Sequence, residues 1–419
     1  MNEGIKMDIV KKWTESSLII KILIGVIIGG CLGFFTPKLS IIGFFGDIFV
    51  SALKAIAPIL VFVLVASAIS KAKSGIGPKY RTIIIIFLLT NFIAALVAVL
   101  MCYMFPLDIY LSSASVASAP GGLGEIMRDM ILNIFSNPIK SLAEGEYLGI
   151  LFWSIIIGVA LRIVASDTTK DVIEDIADSI TKVVNFIIQF APIGIMGLVF
   201  TSVSESGLGI FTEYGQLLLL VVGCMVFVGL VINPFISFLL LKRNPYPLLL
   251  TCLRDSGITA FFSRSSAANI PINMQLCERL GLDRDFFSIS IPLGSTINTN
   301  GAAITITIMT VVTCYTLGIS VPLSIAIVLC VVSTLAACGA SGIVGGSLLL
   351  IPLACSLFGI SQDISMQVVA VGFVISVVQD SFETALNSSC DVFFTAVTEY
   401  YYRAKNGEPV NYMGYFAKK

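Results

Sequence analysis

The chain has 419 residues, 57% of them hydrophobic and 12% charged. Soluble domains carry about 25% charged residues, so this composition describes a multispanning helical membrane protein. A formal net charge of −1 gives no basic surface for nucleic acid, and the absence of histidine removes the commonest general base, proton shuttle and metal ligand.

Taken in order, the chain opens with Lys6, Lys11 and Lys12 ahead of an apolar run. That run, 18–35, is long enough to span a bilayer and reads as an uncleaved first helix rather than a signal peptide. Apolar runs predict further helices over 41–70, 81–105, 147–166, 171–203 and 214–241. The fifth begins amphipathic, with Asp171, Glu174, Asp175, Asp178 and Lys182 along its first turns. A hairpin is expected at 247–279, a broken helix at 286–317, a second hairpin at 322–358 and a last helix at 362–402. Both hairpins carry a Gly/Ser-rich interruption, Ser263-Arg264-Ser265-Ser266-Ala267-Ala268-Asn269 and Cys338-Gly339-Ala340-Ser341-Gly342-Ile343-Val344-Gly345-Gly346. Irregular backbone survives at membrane depth only where it lines a cavity or is buried in protein. Paired broken segments point to the substrate site of a secondary transporter. The ten cysteines, mostly in apolar segments without CxxC pairs, read as small apolar residues.

The positive-inside rule orients these spans. With the N-terminus in the cytoplasm, Lys71, Lys73, Lys79, Arg81, Arg162, Lys242, Arg243, Arg279, Arg284, Arg403, Lys405, Lys418 and Lys419 all fall on that side. The loop at 106–146, with more acids than bases, and residues 318–324, without Lys or Arg, fall outside. The agreement requires both hairpins to be re-entrant and to enter from opposite faces, the arrangement of inverted repeats.

Two polar features interrupt the apolar background. In the last helix Asp380, Thr384, Asn387 and Asp391 share one face at helical spacing, flanked by Glu383 and Ser388. A carboxylate at membrane depth is costly and points to function. In the seventh segment, Pro292-Leu293-Gly294-Ser295-Thr296-Ile297-Asn298-Thr299-Asn300-Gly301 predicts local unwinding, with a kinked helix as the alternative. Asp380 suits a substrate ammonium. Asn387 and backbone N–H groups at a hairpin tip suit a carboxylate, and Asp391 with Asn298 suits a small hard cation. Together they describe an amino acid moved with an ion. A membrane hydrolase would need a nucleophile and a base, and no histidine is present; the chain reads as no enzyme.

The stretch from Thr259 to Asp391 resembles the dicarboxylate/amino acid:cation symporter family. The resemblance rests on SRSSAANIP, IPLGSTINTNGAAITIT, CGASGIVGGSLLLIPLACSLFGIS and QDSFETALNSSCD, and the wording resembles the bacterial serine/threonine:sodium symporters within that family. It implies an all-α membrane protein with eight transmembrane helices, two opposed re-entrant hairpins and an elevator mechanism in a homotrimer of the bacterial inner membrane, both termini cytoplasmic. Scaffold helices would lie in 1–80 and 106–203, and a transport domain in 81–105 and 204–419. The implied function is sodium-coupled import of small neutral amino acids, serine and threonine foremost. The alternatives are an acidic amino acid symporter and an anion-conducting member. The substrate residues carried over are Ser265, Ser266, Ala340, Ser341, Gly342, Asp380, Glu383, Thr384 and Asn387. One sodium group would be Gly294, Asn298, Asn387 and Asp391. A second would be Thr296, Thr299, Ala337, Cys338 and Ala340, largely through carbonyls, and a third Thr90, Asn91 and Asn300. Two positions depart from the acidic-substrate members. Glu383 stands where those carry an arginine, which implies a neutral substrate, with Arg264 as the expected partner of Glu383. Asn300 stands where they carry a carboxylate, which puts the third sodium group in doubt.

Overall fold

The computed structural model describes residues 18–71, 78–111, 135–339, 345–408 and 410, and every ordered element among them is helical. Two long apolar helices open the fold, α1 (Leu18–Phe35) and α2 (Ile41–Ser70). After α3 (Pro78–Met104) and the short α4 (Pro138–Glu144) come α5 (Tyr147–Val164), α6 (Asp167–Ile188) and α7 (Ala191–Ser206). The expected single fifth span is in fact α6 and α7, bent by 54°. Pro192 explains the bend, because proline clashes with helical geometry in the residue before it and cannot donate to the preceding turn.

The sixth span is α8 (Ile210–Phe227), a π turn at Val228–Ile232 and α9 (Asn233–Leu241). Pro234 cannot donate to the carbonyl of Leu230, and Tyr246 Oη donates to that carbonyl instead at 3.0 Å. The first hairpin descends through α10 (Tyr246–Cys252), a π turn at Leu253–Gly257 and α11 (Ile258–Ser263). It reverses at Arg264, whose φ is +52°, and returns as α12 (Ser266–Arg279). The seventh segment is α13 (Arg284–Ile297) and α14 (Asn300–Thr316). The expected unwinding falls at Asn298–Thr299; Pro292 stays inside α13. The second hairpin comprises α15 (Leu323–Ala337), a 3-10 turn at Leu348–Leu350 and α16 (Ile351–Ser356). The last helix, α17, runs unbroken over Gln362–Lys405, 44 residues. At about 1.5 Å per residue it is roughly 66 Å long, twice the hydrocarbon thickness.

Among the described residues, five helical segments are long and apolar enough to cross a membrane, six if the bent pair counts as one span. The chain is an integral membrane protein. Helices α1, α2, α5, α6 and α7 pack chiefly on one another, while α3 and α8–α16 gather around α17 and α14. The first group uses glycine for close approach. A Cβ on Gly25 would lie 2.2 Å from Pro192 O and one on Gly29 2.3 Å from Met196 O, so only glycine lets α1 lie against the α7 backbone.

Candidate functional site

The site is built on one face of α17. Asp380, Glu383, Thr384, Asn387 and Asp391 are all buried, together with Gln379 one turn before Glu383. Three other elements aim at this face: the tip of the first hairpin, the end of the second, and the break between α13 and α14.

Arg264 Nε donates to Asp380 Oδ2 at 2.7 Å, and its Nη2 reaches Ser376 O at 3.4 Å. This corrects the expectation that Arg264 pairs with Glu383. Residues four apart stack on one helix face, so the arginine lies along the 376–380 row while Glu383 belongs to the row of Gln379. Glu383 Oε2 instead accepts from Thr305 Oγ1 at 3.0 Å, Ser347 Oγ at 2.9 Å and Gln379 Nε2 at 2.5 Å. Ser347 belongs to the second hairpin, as does Gly345, whose N–H approaches Asp380 Oδ1 at 3.5 Å. Both carboxylates therefore touch that hairpin. Gly301 is what admits Glu383 so close to α14, since a Cβ there would lie 2.8 Å from Glu383 Cα.

At the first tip Ser265 caps α12, its Oγ accepting from Ala268 N at 3.2 Å, and Ser266 begins that helix. Thr384 Oγ1 donates within α17 to Asp380 O at 2.8 Å. Asn387 Oδ1 accepts from Gly301 N at 2.8 Å. Among the described residues, its Nδ2 donates to nothing, which suits a ligand carboxylate. Ala340, Ser341 and Gly342 lie outside the described residues.

One turn further along, Asp391 Oδ1 accepts from Asn298 Nδ2 at 2.9 Å. Among the described residues, its buried Oδ2 meets no donor. A buried carboxylate oxygen without a donor needs a counter-charge, and a hard cation supplies one. Gly294 leaves the room, because a Cβ there would stand 2.8 Å from Asp391 Oδ1. Asn298 Nδ2 also reaches Asn387 O at 3.4 Å, so the four residues of the first expected sodium group do come together. In the second group Thr299 Oγ1 is buried without a partner among the described residues, and Cys338 Sγ lies 3.7 Å from Ile297 O. Thr296 Oγ1 turns back to Leu293 O at 2.8 Å. Ala337 ends α15 beside them.

The break itself is held by α3. Asn91 Nδ2 donates to Ile297 O at 2.7 Å, and its Oδ1 accepts from Thr299 N at 3.0 Å. One side chain thus satisfies the donor and the acceptor that unwinding would leave bare. Asn91 and Thr90 both meet Asn300, whose Oδ1 accepts from Asn233 Nδ2 at 3.1 Å. Asn233, Gln379, Thr305 and Ser347 did not emerge from the sequence. An Asn-Pro pair inside an apolar span was the available signal for Asn233.

A buried, charged stripe met by two helical hairpins and a broken helix defines an integral membrane transport protein. The chain belongs to the sodium:dicarboxylate symporter family, which it matches over residues 18–400. It is 54% identical over 392 residues to a Streptococcus thermophilus protein named serine/threonine transporter SstT, covering 93% of this chain and 97% of the relative. A Streptococcus agalactiae protein of the same name is 56% identical over 391 residues, with 93% and 97% covered. One from Bifidobacterium adolescentis is 53% identical over 408 residues, with 97% and 95% covered.

Proposed function

We propose that this protein is a sodium-coupled symporter that imports serine and threonine. The observation that carries this reading is the pair of buried carboxylates on α17, Asp380 beneath both hairpins and Asp391 beside the α13–α14 break. Asp380 holds the substrate ammonium, sharing its lone pairs with Arg264. Asn387 Nδ2 and backbone N–H groups of the hairpin tips hold the carboxylate, with Ser265, Ser266, Ala340, Ser341, Gly342 and Thr384 around it. Sodium is cargo, taken by Asp391 with Gly294, Asn298 and Asn387, and at a second group of Thr296, Thr299, Ala337, Cys338 and Ala340. Asn298 touches Asp391 and the Asn387 carbonyl at once, so the ion and the substrate are set by one shared scaffold.

Glu383 sets the substrate class. Its carboxylate adds negative charge beside Asp380, so a substrate side chain carrying its own carboxylate is repelled, while a hydroxyl can donate to it. Two like charges about 5 Å apart cost roughly 3 kcal/mol at an effective dielectric near 20. The same oxygen holds Ser347, so closure of the second hairpin and substrate choice meet at one residue.

Eight spans and two opposed re-entrant hairpins sit in a bacterial inner membrane with both termini cytoplasmic. Residues 1–80 and 106–203 form the scaffold of a homotrimer, and 81–105 with 204–419 form a transport domain that moves as an elevator. The separate packing of α1, α2, α5, α6 and α7 supports that division. Purified protein in liposomes tests the function. Labelled serine should accumulate against its gradient under an inward sodium gradient and not under a proton gradient. Accumulation driven by protons alone, or passive equilibration under every condition, would refute it.

A further inference from the structure

The third expected sodium group, Thr90, Asn91 and Asn300, does not fit a cation. Three buried oxygens converge there on one nitrogen, Asn300 Nδ2, at 2.8 Å from Asn91 Oδ1, 3.2 Å from Asn298 Oδ1 and 3.3 Å from Thr90 Oγ1. The nitrogen, not an ion, is the centre of the nest.

The orientation of that amide is fixed from two sides. Asn91 cannot flip, because its Oδ1 accepts from the backbone N–H of Thr299 and its Nδ2 donates to the carbonyl of Ile297. Asn298 cannot flip, because its Nδ2 faces the Asp391 carboxylate. Both therefore present oxygen to Asn300, and only an NH2 group can answer. Reversing Asn300 would set its oxygen 2.8 Å from Asn91 Oδ1 and its nitrogen 3.1 Å from Asn233 Nδ2, two repulsive contacts. Asn233 closes the arrangement from the far side. The π turn at Val228–Ile232 ends on it, and its Nδ2 donates to Asn300 Oδ1 and to Cys390 Sγ at 3.1 Å.

The geometry points to an amide that stands in for a cation: the Asn300 NH2 occupies this oxygen nest throughout transport, and the nest carries no sodium. Asn91 Oδ1 already spends both lone pairs, on Thr299 N and Asn300 Nδ2. A cation placed there would meet N–H protons rather than oxygen. The same nest with a carboxylate at position 300 would be anionic, all-oxygen and suited to a small hard cation. The inference rests on sodium-driven serine transport, and it makes coupling cost one ion fewer than three filled groups would require.

Reversal potentials of serine flux in proteoliposomes give the number of sodium ions moved per serine. Asn300→Asp should raise that number by one over the parent; an active Asn300→Asp with the parent's ratio would overturn the inference. The parent protein gives a second measurement that no variant can spoil, namely crystals soaked in thallium, a monovalent cation located by its anomalous scattering. Density at Asp391 and none between Thr90, Asn91 and Asn300 is expected. Density at the Asn300 nest overturns the inference while leaving sodium coupling intact, whereas no density at Asp391 overturns the ion site beneath both readings.

Discussion

The contact of α1 with α7 and the surroundings of α17 are both interior to a membrane protein, yet they are built on opposite principles. Along α1 the interior is apolar and glycine brings two backbones together at Gly25 and Gly29. At those two glycines backbone lies directly against backbone, and the energetics of that contact are those of van der Waals packing. Around α17 the interior holds Arg264, Asp380, Glu383 and Asp391, each answered by at least one polar partner. Among the described residues, two of the buried polar atoms without a partner, Asp391 Oδ2 and Thr299 Oγ1, lie where sodium is proposed to bind, while others, Gln379 Oε1, Asn233 Oδ1 and Thr398 Oγ1 among them, lie elsewhere around the helix. Close packing fixes a shape, whereas a satisfied polar network with a few open positions fixes a ligand.

Mutations should therefore fail differently in the two regions. The largest effect belongs to Asp380. Asp380→Asn removes the counter-charge of a buried arginine as well as that of the substrate, and breaking such a pair costs about 3–5 kcal/mol. Serine uptake should disappear and the melting temperature should fall. Adding Arg264→Gln should restore much of the stability and none of the uptake. If the double variant transports, Asp380 does not bind the ammonium.

Glu383→Arg comes next. In competition against labelled serine, aspartate should be at least about a hundredfold weaker than threonine in the parent, the ratio that roughly 3 kcal/mol implies. The arginine variant should narrow that gap and Glu383→Gln should narrow it less. Equal competition by aspartate and threonine in the parent would remove Glu383 from selection and leave it as an anchor for Ser347.

The smallest effect is expected on the apolar side. Gly29→Leu forces a side chain against the Met196 carbonyl, and overpacking of this kind costs about 1–3 kcal/mol. The amount of folded protein in detergent should drop, while serine affinity and the serine-to-aspartate preference of the folded fraction should stay within twofold of the parent. A shift in preference would mean that the two regions are not independent.

The sequence was legible wherever a local pattern decided the outcome. The second helix runs over the expected 41–70, because hydropathy alone sets its ends. The first tip turns at Arg264, inside the Ser-rich stretch, and the stripe on α17 follows from 3.6-residue spacing. Apart from Asn298 with Asp391, partners across elements were not legible. Arg264 could be assigned to the right helix but not to the right row of it, since rows 376–380 and 379–383 differ only by a rotation that tertiary packing sets. Asn91 was expected as a sodium ligand beside Thr90 and Asn300, and its work on the backbone of α13 exists only once the two helices meet. The bend before Pro192 was missed because the apolar run continues through it, although the proline was the available signal.

Coupling of ion to substrate is the central claim, and one binding experiment addresses it directly. Serine affinity is measured by calorimetry across a sodium titration for the parent and for Asp391→Asn. The parent should bind serine more tightly as sodium rises, and Asp391→Asn should need far more sodium for the same affinity while keeping its selectivity for serine over aspartate. An unchanged sodium midpoint in Asp391→Asn, or serine binding indifferent to sodium in the parent, would contradict the account.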